Sequence, residues 1–482
     1  MNPDERPVSL EMEPEEMRRL GYAAIDALVD RAQGLRDDRP WQGGTRRELE
    51  PLFREDCPEE PGDADAVLRR AIDDILPRAG RIDHPRFFAF VPSSPSWAAL
   101  LGDLLATGFN TFQGTWLESA GPSQVELVVL DWFRQWLGMP EGAGGLFTSG
   151  GSAANLGAVV AAREAAGHPE RPVVYLSDQS HSSVERAARI AGFREEHLRR
   201  IPSDDGFRID PAALDRALAD DRAAGRTPVL VAANGGATNT GAVDPLPVLA
   251  DLCEAHGCWL HVDAAYGGFA VLDPRGRAAL TGIERAHSIT LDPHKWLFQP
   301  YETGCLLVRD PADLTRAFRV LPEYLQDTDL GFEQVNFADR GLQLTRAFRA
   351  LKVWTALQVH GRRAHAEAIG RALDLAIEAE AMLRAHPGVE ILSPASLGIV
   401  CFRLRPEGAV PQADEAALEA LNRAVQDAVV DEGTAMMSST RLRERYALRL
   451  CILNHRSTRD DVRAVVERIA ALGRERMELA RG

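Results

Sequence analysis

Lysine is almost missing from this chain. Of its 55 lysine and arginine residues, only Lys295 and Lys352 are lysine. Arginine supplies positive charge equally well, but its guanidinium stays protonated and is a poor nucleophile toward carbonyls. Lysines kept against such a background are candidates for amine chemistry that arginine cannot copy. A positive charge balance is also missing: the formal net charge is −16. That excludes a broad basic surface for nucleic acid and attraction to an anionic membrane. The six cysteines are scattered. Cys253 and Cys258 have no second pair to complete a zinc site, so no metal is expected and the thiols are expected reduced. No apolar run reaches the roughly 18 residues of a membrane span. Met1–Arg6 lacks the apolar core of a signal peptide. A cytoplasmic protein with neither nucleic-acid nor membrane partners is the expectation.

At 482 residues the chain exceeds one small core, and three parts are read from its patterning. Residues 1–85 carry helical apolar spacing, as in Met17, Leu20, Ala24, Ile25 and Leu28, with Gly34 as a stop. Such a segment buries little alone and is expected to pack on a partner subunit. Residues 86–360 alternate short apolar strands with amphipathic helices. The strands are read at 173–176, 229–232, 259–262, 288–291 and 305–308. This alternation predicts an α/β domain with a mainly parallel sheet. Residues 361–482 open with a long helix over 362–386 and continue as a smaller α+β domain. Lys352 falls on a helical pattern and is read as a structural or solvated-face residue.

Ligands of open α/β sheets bind at the C-terminal ends of the strands. Here those ends carry chemistry. Asp263 closes one strand, and Lys295 follows another in Asp292-Pro293-His294-Lys295-Trp296. His181 follows a third, and Asn234 and Thr238 follow a fourth. Gly150-Gly151-Ser152 opens the helix predicted over 153–166, where free amides and the helix dipole favour a phosphate. An acid, an amine, an imidazole and a phosphate cradle together match pyridoxal phosphate. Lys295 would condense with its carbonyl. Asp263 would keep the pyridine nitrogen protonated, so that the ring draws electrons from the substrate. His181 would stack on the ring. Gly151, Ser152 and His294 would hold the phosphate, with Ala265 and Asp292 beside them.

The strings His84-Pro85-Arg86-Phe87-Phe88-Ala89-Phe90, Ser177-Asp178-Gln179-Ser180-His181, His261-Val262-Asp263-Ala264-Ala265-Tyr266-Gly267-Gly268 and Asp292-Pro293-His294-Lys295-Trp296 resemble the group II pyridoxal-phosphate-dependent decarboxylases. The aromatic-L-amino-acid branch is the nearest in pattern, and the similarity spans nearly the whole chain. The resemblance implies the fold-type-I transferase architecture, with a seven-stranded sheet in the large domain. It also implies a homodimer with shared active sites and release of an amine and CO₂ from an L-amino acid. It assigns Lys295 as Schiff-base lysine, Asp263 as pyridine partner, His181 as stacking residue and Thr238 as a cofactor-side hydroxyl. It assigns Tyr324 as a loop tyrosine that protonates the substrate α-carbon. Residues 327–336 read as a lid.

The side-chain pocket is expected from Phe90, Pro92, Ser93, Trp116 and Thr345, which suits an aromatic substrate. Plant members of the family carry Gly at the position of Thr345 where they prefer indole and Ser where they prefer phenol, so the resemblance implies phenyl or phenol rings over indole. Asn234 and Asp292 depart from the family's usual Thr and Asn, and an acid at 292 must be paired or turned away from a phosphate. An aromatic acetaldehyde synthase and an aminotransferase remain open on the same scaffold. The presence of Tyr324 and His181 favours plain decarboxylation. A non-catalytic cofactor-binding protein fits least.

Overall fold

The structure, a computed structural model, describes residues 10–320, 323–328, 331, 333–405 and 415–479. Seven strands form the larger sheet: β1 (Gly144–Thr148), β2 (Pro172–Ser177), β3 (Leu198–Ile201), β4 (Thr227–Asn234), β5 (Trp259–Asp263), β6 (Ser288–Leu291) and β7 (Gly304–Val308). Their order is β1-β7-β6-β5-β4-β2-β3. The run from β3 to β6 is parallel, and β7 lies antiparallel to both β1 and β6. Every residue of β2 and β5 is buried, as expected of strands covered by helices on both faces.

A second sheet holds β8 (Val389–Ser396), β9 (Ile399–Leu404), β10 (Ser438–Leu442) and β11 (Arg445–Cys451), all antiparallel, in the order β10-β11-β9-β8. It has its own core, including Val400, Phe402, Val425, Leu448 and Ile469. Phe88 joins that core, because the Phe88 amide donates to Met436 O and its carbonyl accepts from Cys451 N–H. The helix Ala350–Arg384 begins twelve residues before the predicted start at 362 and runs past it, broken at Gly361 (φ +73°).

Strands β1, β3, β8 and β10 escape the apolar patterning for physical reasons. β1 opens on two glycines, β3 is Leu-Arg-Arg-Ile, β8 contains a proline and β10 is largely polar. The N-terminal helices Pro14–Gly34, Arg46–Phe53 and Ala64–Arg70 bury no residue fully within the chain. Among the described residues no helix is long and apolar enough to cross a membrane.

Candidate active site

The C-terminal ends of β2, β4, β5 and β6 open onto a cavity of about 290 Å³. Gly151, Ser152, His181, Thr238, Asp263, Ala265, Asp292, His294 and Lys295 all line it. Lys295 is placed by a four-residue helix, Pro293–Trp296, that follows β6 directly. Pro293 suits the first position of that helix. The Trp296 side chain is wholly buried and anchors the turn.

Asp292 is not turned away. Its Oδ2 lies 2.8 Å from Lys295 Nζ and 3.7 Å from His294 Nε2, and its Oδ1 is buried without a hydrogen-bond partner among the described residues. Burial works against the Lys295 ammonium, but Asp292, helped by Asp263 and Tyr301, holds its pKa above the ordinary lysine value. Burial lowers the pKa of His294, whose Nδ1 accepts from Thr303 N–H at 3.2 Å. Burial likewise lowers that of His181, with Lys295 adding to the effect against Asp263 and Asp292.

Asp263 is oriented by a residue that the sequence reading passed over. Asn155, in the first turns of the helix Gly151–Ala165, donates from Nδ2 to Asp263 Oδ2 at 2.9 Å and to Ser183 Oγ at 2.8 Å. Its Oδ1 accepts from Thr290 Oγ1 at 2.7 Å and from His261 Nε2 at 3.0 Å. All four hydrogen-bonding positions of the amide are thus filled, which fixes its orientation. Since Asn155 Oδ1 can only accept, His261 carries its proton on Nε2. Its Nδ1 then accepts from Ser288 Oγ at 2.8 Å, and Ser288 Oγ accepts from Trp259 Nε1 at 2.7 Å. Burial pushes the His261 pKa down to about 4, which keeps the ring neutral. On the cavity side, Ser183 Oγ lies 2.7 Å from His181 Nδ1. One amide therefore holds both Asp263 and the serine that orients His181.

The opposite wall suits a phosphate. The first amides of the helix Gly151–Ala165 with a backbone acceptor are Ala153 and Ala154, both to Gly150 O, so the Gly151 and Ser152 N–H groups stay open among the described residues. A Cβ on Gly151 would stand 2.9 Å from Asp292 Oδ2 and 3.2 Å from the Ala265 Cβ, so only glycine leaves this backbone approachable. Open amides at a helix start, with the Ser152 hydroxyl and the His294 ring nearby, fit a phosphate end. Asp263 and His181 fit the aromatic ring, and Lys295 fits the carbonyl. The residues present fit pyridoxal phosphate.

Other residues fall elsewhere. Thr345 lines a neighbouring cavity of about 420 Å³, which also contains Tyr301 and Glu302; Glu302 borders both cavities. Phe90, Pro92, Ser93 and Trp116 do not line the first cavity in the single chain. Phe90 is 62% exposed, whereas Ser93 is buried and donates to Gln299 O at 3.2 Å. Tyr324 belongs to a short turn, Glu323–Thr328, and its side chain lies outside the described residues, as does part of the lid predicted over 327–336. Buried Arg449 also went unnoticed: it donates to Thr238 O at 2.7 Å and to Asn239 O at 3.1 Å, clamping the Thr238 loop. Its abundance of arginine neighbours in the sequence hid it, whereas Asn155 could have been found four residues after Gly151, one helical turn along.

Lys352 is buried rather than solvated, with Nζ 2.7 Å from Asp103.

Comparison with known proteins agrees with this geometry. Residues 47–405 match the family described as the pyridoxal-dependent decarboxylase conserved domain. The chain is 40% identical over 470 residues to an aromatic-L-amino-acid decarboxylase of Bacillus atrophaeus, covering 97% of each. It is 31% identical to a phenylacetaldehyde synthase of Petunia hybrida, covering 92% of this chain and 91% of the relative. Among solved structures, Oryza sativa TDC with PLP and tryptamine superposes with a TM-score of 0.92 at 30% identity, covering 98% of this chain and all of that one. Fold, cavity and sequence agree: the chain belongs to the pyridoxal-dependent decarboxylases, enzymes of fold type I that use pyridoxal phosphate to remove the carboxyl group of an amino acid.

Proposed function

We propose that this enzyme decarboxylates an aromatic L-amino acid to its amine, in a homodimer whose subunits complete each other's sites. The observation that carries the reading is a single cavity in which Lys295 faces the carboxylate of Asp263, itself held by an amide with every bond made. Pyridoxal phosphate, when bound, supplies an electron sink for the bond to the departing carboxylate. Lys295 would hold the cofactor by its amine. Asp263 would keep a proton on the ring nitrogen, with Asn155 keeping Asp263 oriented. His181 would stack on the ring. Gly151, Ser152 and His294 would hold the phosphate, with Ala265 and Asp292 beside them and Thr238 as a cofactor-side hydroxyl. Tyr324 delivers the proton to the substrate α-carbon, and residues 327–336 exclude water. Catalysis then rests on orientation and fixed charge.

The aromatic substrate is supported by the Bacillus atrophaeus relative and by the tyrosine and tryptophan decarboxylases of Petroselinum crispum and Camptotheca acuminata at 33% identity. Phe90, Pro92, Ser93, Trp116 and Thr345 would form its pocket once a partner subunit closes the site. The homodimer is supported by an exposed apolar face on and after the helix Trp97–Gly108: Leu104 and Leu105 are each 51% exposed and Phe109 81%.

The test is to incubate the cofactor-loaded enzyme with a pool of L-amino acids and read the products by mass spectrometry. An aromatic amine, absent with Lys295→Ala, is the expected result. Aldehyde with peroxide would place the enzyme with the acetaldehyde synthases, and a keto acid with the aminotransferases. Turnover of non-aromatic amino acids alone would overturn the substrate assignment.

A further inference from the structure

Behind the Lys295 segment lies a separate cavity of about 280 Å³, which shares no lining residue with the active-site cavity. Phe298, three residues after Lys295, forms part of its wall. Five basic residues line it: His360, His365 and Arg371 from the helix Ala350–Arg384, and His455 and Arg456 from the turn after β11. His365 Nδ1 donates to Gly361 O at 2.9 Å, and His455 Nδ1 shares a hydrogen bond with Ser94 Oγ at 3.0 Å. The Phe298 ring packs against both imidazoles, 6.1 Å from His365 and 5.0 Å from His455. Both rings are held by one nitrogen, and their Nε2 edges have no protein partner among the described residues.

The charge around this cavity is one-sided. No lining residue is acidic. Arg371 has no ion pair among the described residues. The carboxylate nearest Arg456, Asp83, stands 3.7 Å away and already accepts two hydrogen bonds from Arg31, at 2.7 and 2.9 Å. Burial, then Arg456, His365, Arg371 and His360, all push the His455 pKa down, to about 3. In a chain of net charge −16 the cavity gathers two guanidinium groups, and the carboxylate beside one of them is already held by Arg31. Phe298 also holds φ at +58°, a left-handed conformation that a bulky residue adopts only when its surroundings impose it. Its carbonyl is pinned by Ser96 N–H at 2.9 Å.

We propose that this cavity is a binding site for a small oxyanion, a phosphate or a dicarboxylate, held by Arg371, Arg456 and the Nε2–H that a neutral His455 presents when its Nδ1 accepts from Ser94. The guanidinium fork is a charged donor matched to such oxygens, and a neutral imidazole N–H adds a further donor. A bound oxyanion bears on Phe298 and so braces the chain that leaves Lys295.

The experiment is isothermal titration of the holoenzyme, whose own phosphate cradle is filled by its cofactor. Inorganic phosphate and succinate are titrated separately, each against chloride at matched ionic strength. Saturable binding of at least one anion is expected, with chloride silent. Phosphate alone would assign phosphate-bearing ligands, and succinate alone carboxylates. Losing one donor should weaken binding by roughly tenfold or more in Arg371→Gln and in His455→Asn. Arg371 is exposed on its helix, so its variant keeps the test decisive even if His455→Asn folds poorly. Absence of saturable binding with both anions, or unchanged affinity in Arg371→Gln, overturns the proposal.

Discussion

Lys295 and Lys352 are equally close to a carboxylate: 2.8 Å from Asp292 and 2.7 Å from Asp103. Their proton affinities nevertheless move in opposite directions. At Lys352 burial dominates, Arg349 adds repulsion, and the pKa is lowered. Its partner Asp103 is 36% exposed, so water weakens the attraction. At Lys295 the partner Asp292 is 3% exposed, Asp263 adds a second negative charge, and the pKa is raised. An ion pair alone therefore does not tell the two amines apart. What sets Lys295 apart is company: open amides, a fixed carboxylate and an imidazole around one cavity. Holding Lys295 as ammonium also has a chemical consequence, because only the neutral amine attacks a carbonyl.

The largest expected effect separates the two lysines outright. Lys295→Ala should lose both turnover and the visible absorbance of lysine-bound cofactor. If that variant still turned over substrate at the native rate, the distinction between the lysines would collapse.

Asp292→Asn probes the source of the difference. Removing the carboxylate leaves burial as the main influence on Lys295, so its pKa should fall. The neutral fraction at a given pH then rises. The rate at which the apo-enzyme takes up cofactor should keep its plateau, with its acidic limb displaced by roughly one to three pH units toward lower pH. An unmoved limb would show that Asp292 does not control the lysine. The same substitution at the other site, Asp103→Asn, should leave that limb in place.

The parts of this contrast differ in how legible they were from sequence. Lys295, Asp263, His181 and the Gly151-Ser152 turn announce themselves because each follows an apolar strand or opens a helix, and strand ends are where α/β sheets bind ligands. The parallel strands β2, β4, β5 and β6 were readable because they are short apolar runs, and β2 and β5 are buried throughout. Strands β1 and β3 were not, since Gly-Gly-Leu-Phe-Thr and Leu-Arg-Arg-Ile carry little strand propensity and depend on pairing with β7 and β2. Asn155 stands one helical turn after Gly151, but its role shows only when the fold brings Asp263, 108 positions away, to its amide. The pairing of Asp292 was posed by sequence as a problem, and the helical turn placing Lys295 three residues later answers it. The burial of Lys352 depends on packing against the helix Trp97–Gly108, a contact that no local pattern encodes.

Asn155→Leu tests whether the fixed amide is what sets Lys295's surroundings apart. It keeps the volume but removes the Asn155 partner of Asp263 Oδ2, Thr290 Oγ1 and His261 Nε2, and leaves Ser183 Oγ with its bond to His181 alone. Stability should fall by roughly 1–3 kcal/mol, given the cost of unsatisfied buried groups. Cofactor affinity should fall as well, because Asp263 is no longer aimed. Denaturant titration of the apo-enzyme and equilibrium binding of pyridoxal phosphate read the two effects separately. Unchanged cofactor affinity with lowered stability would make Asn155 a core residue only.

Lys352→Met should have the smallest effect. Methionine retains most of the aliphatic stem that packs in the interior and removes the buried ammonium. Asp103, partly exposed, can recover solvation that a fully buried carboxylate could not. The loss of a pair of this kind is offset by the end of the lysine's own desolvation, so a stability change of about 1 kcal/mol is expected in denaturant titration. Turnover and the cofactor band should persist. One result would redraw the comparison: a raised KM for substrate with the cofactor band intact. Lys352 borders the cavity that also holds Thr345, Tyr301 and Glu302, and Glu302 reaches the active-site cavity. Such a result would make the second lysine a substrate-side residue, and the chain would then keep both of its lysines for work around a single site.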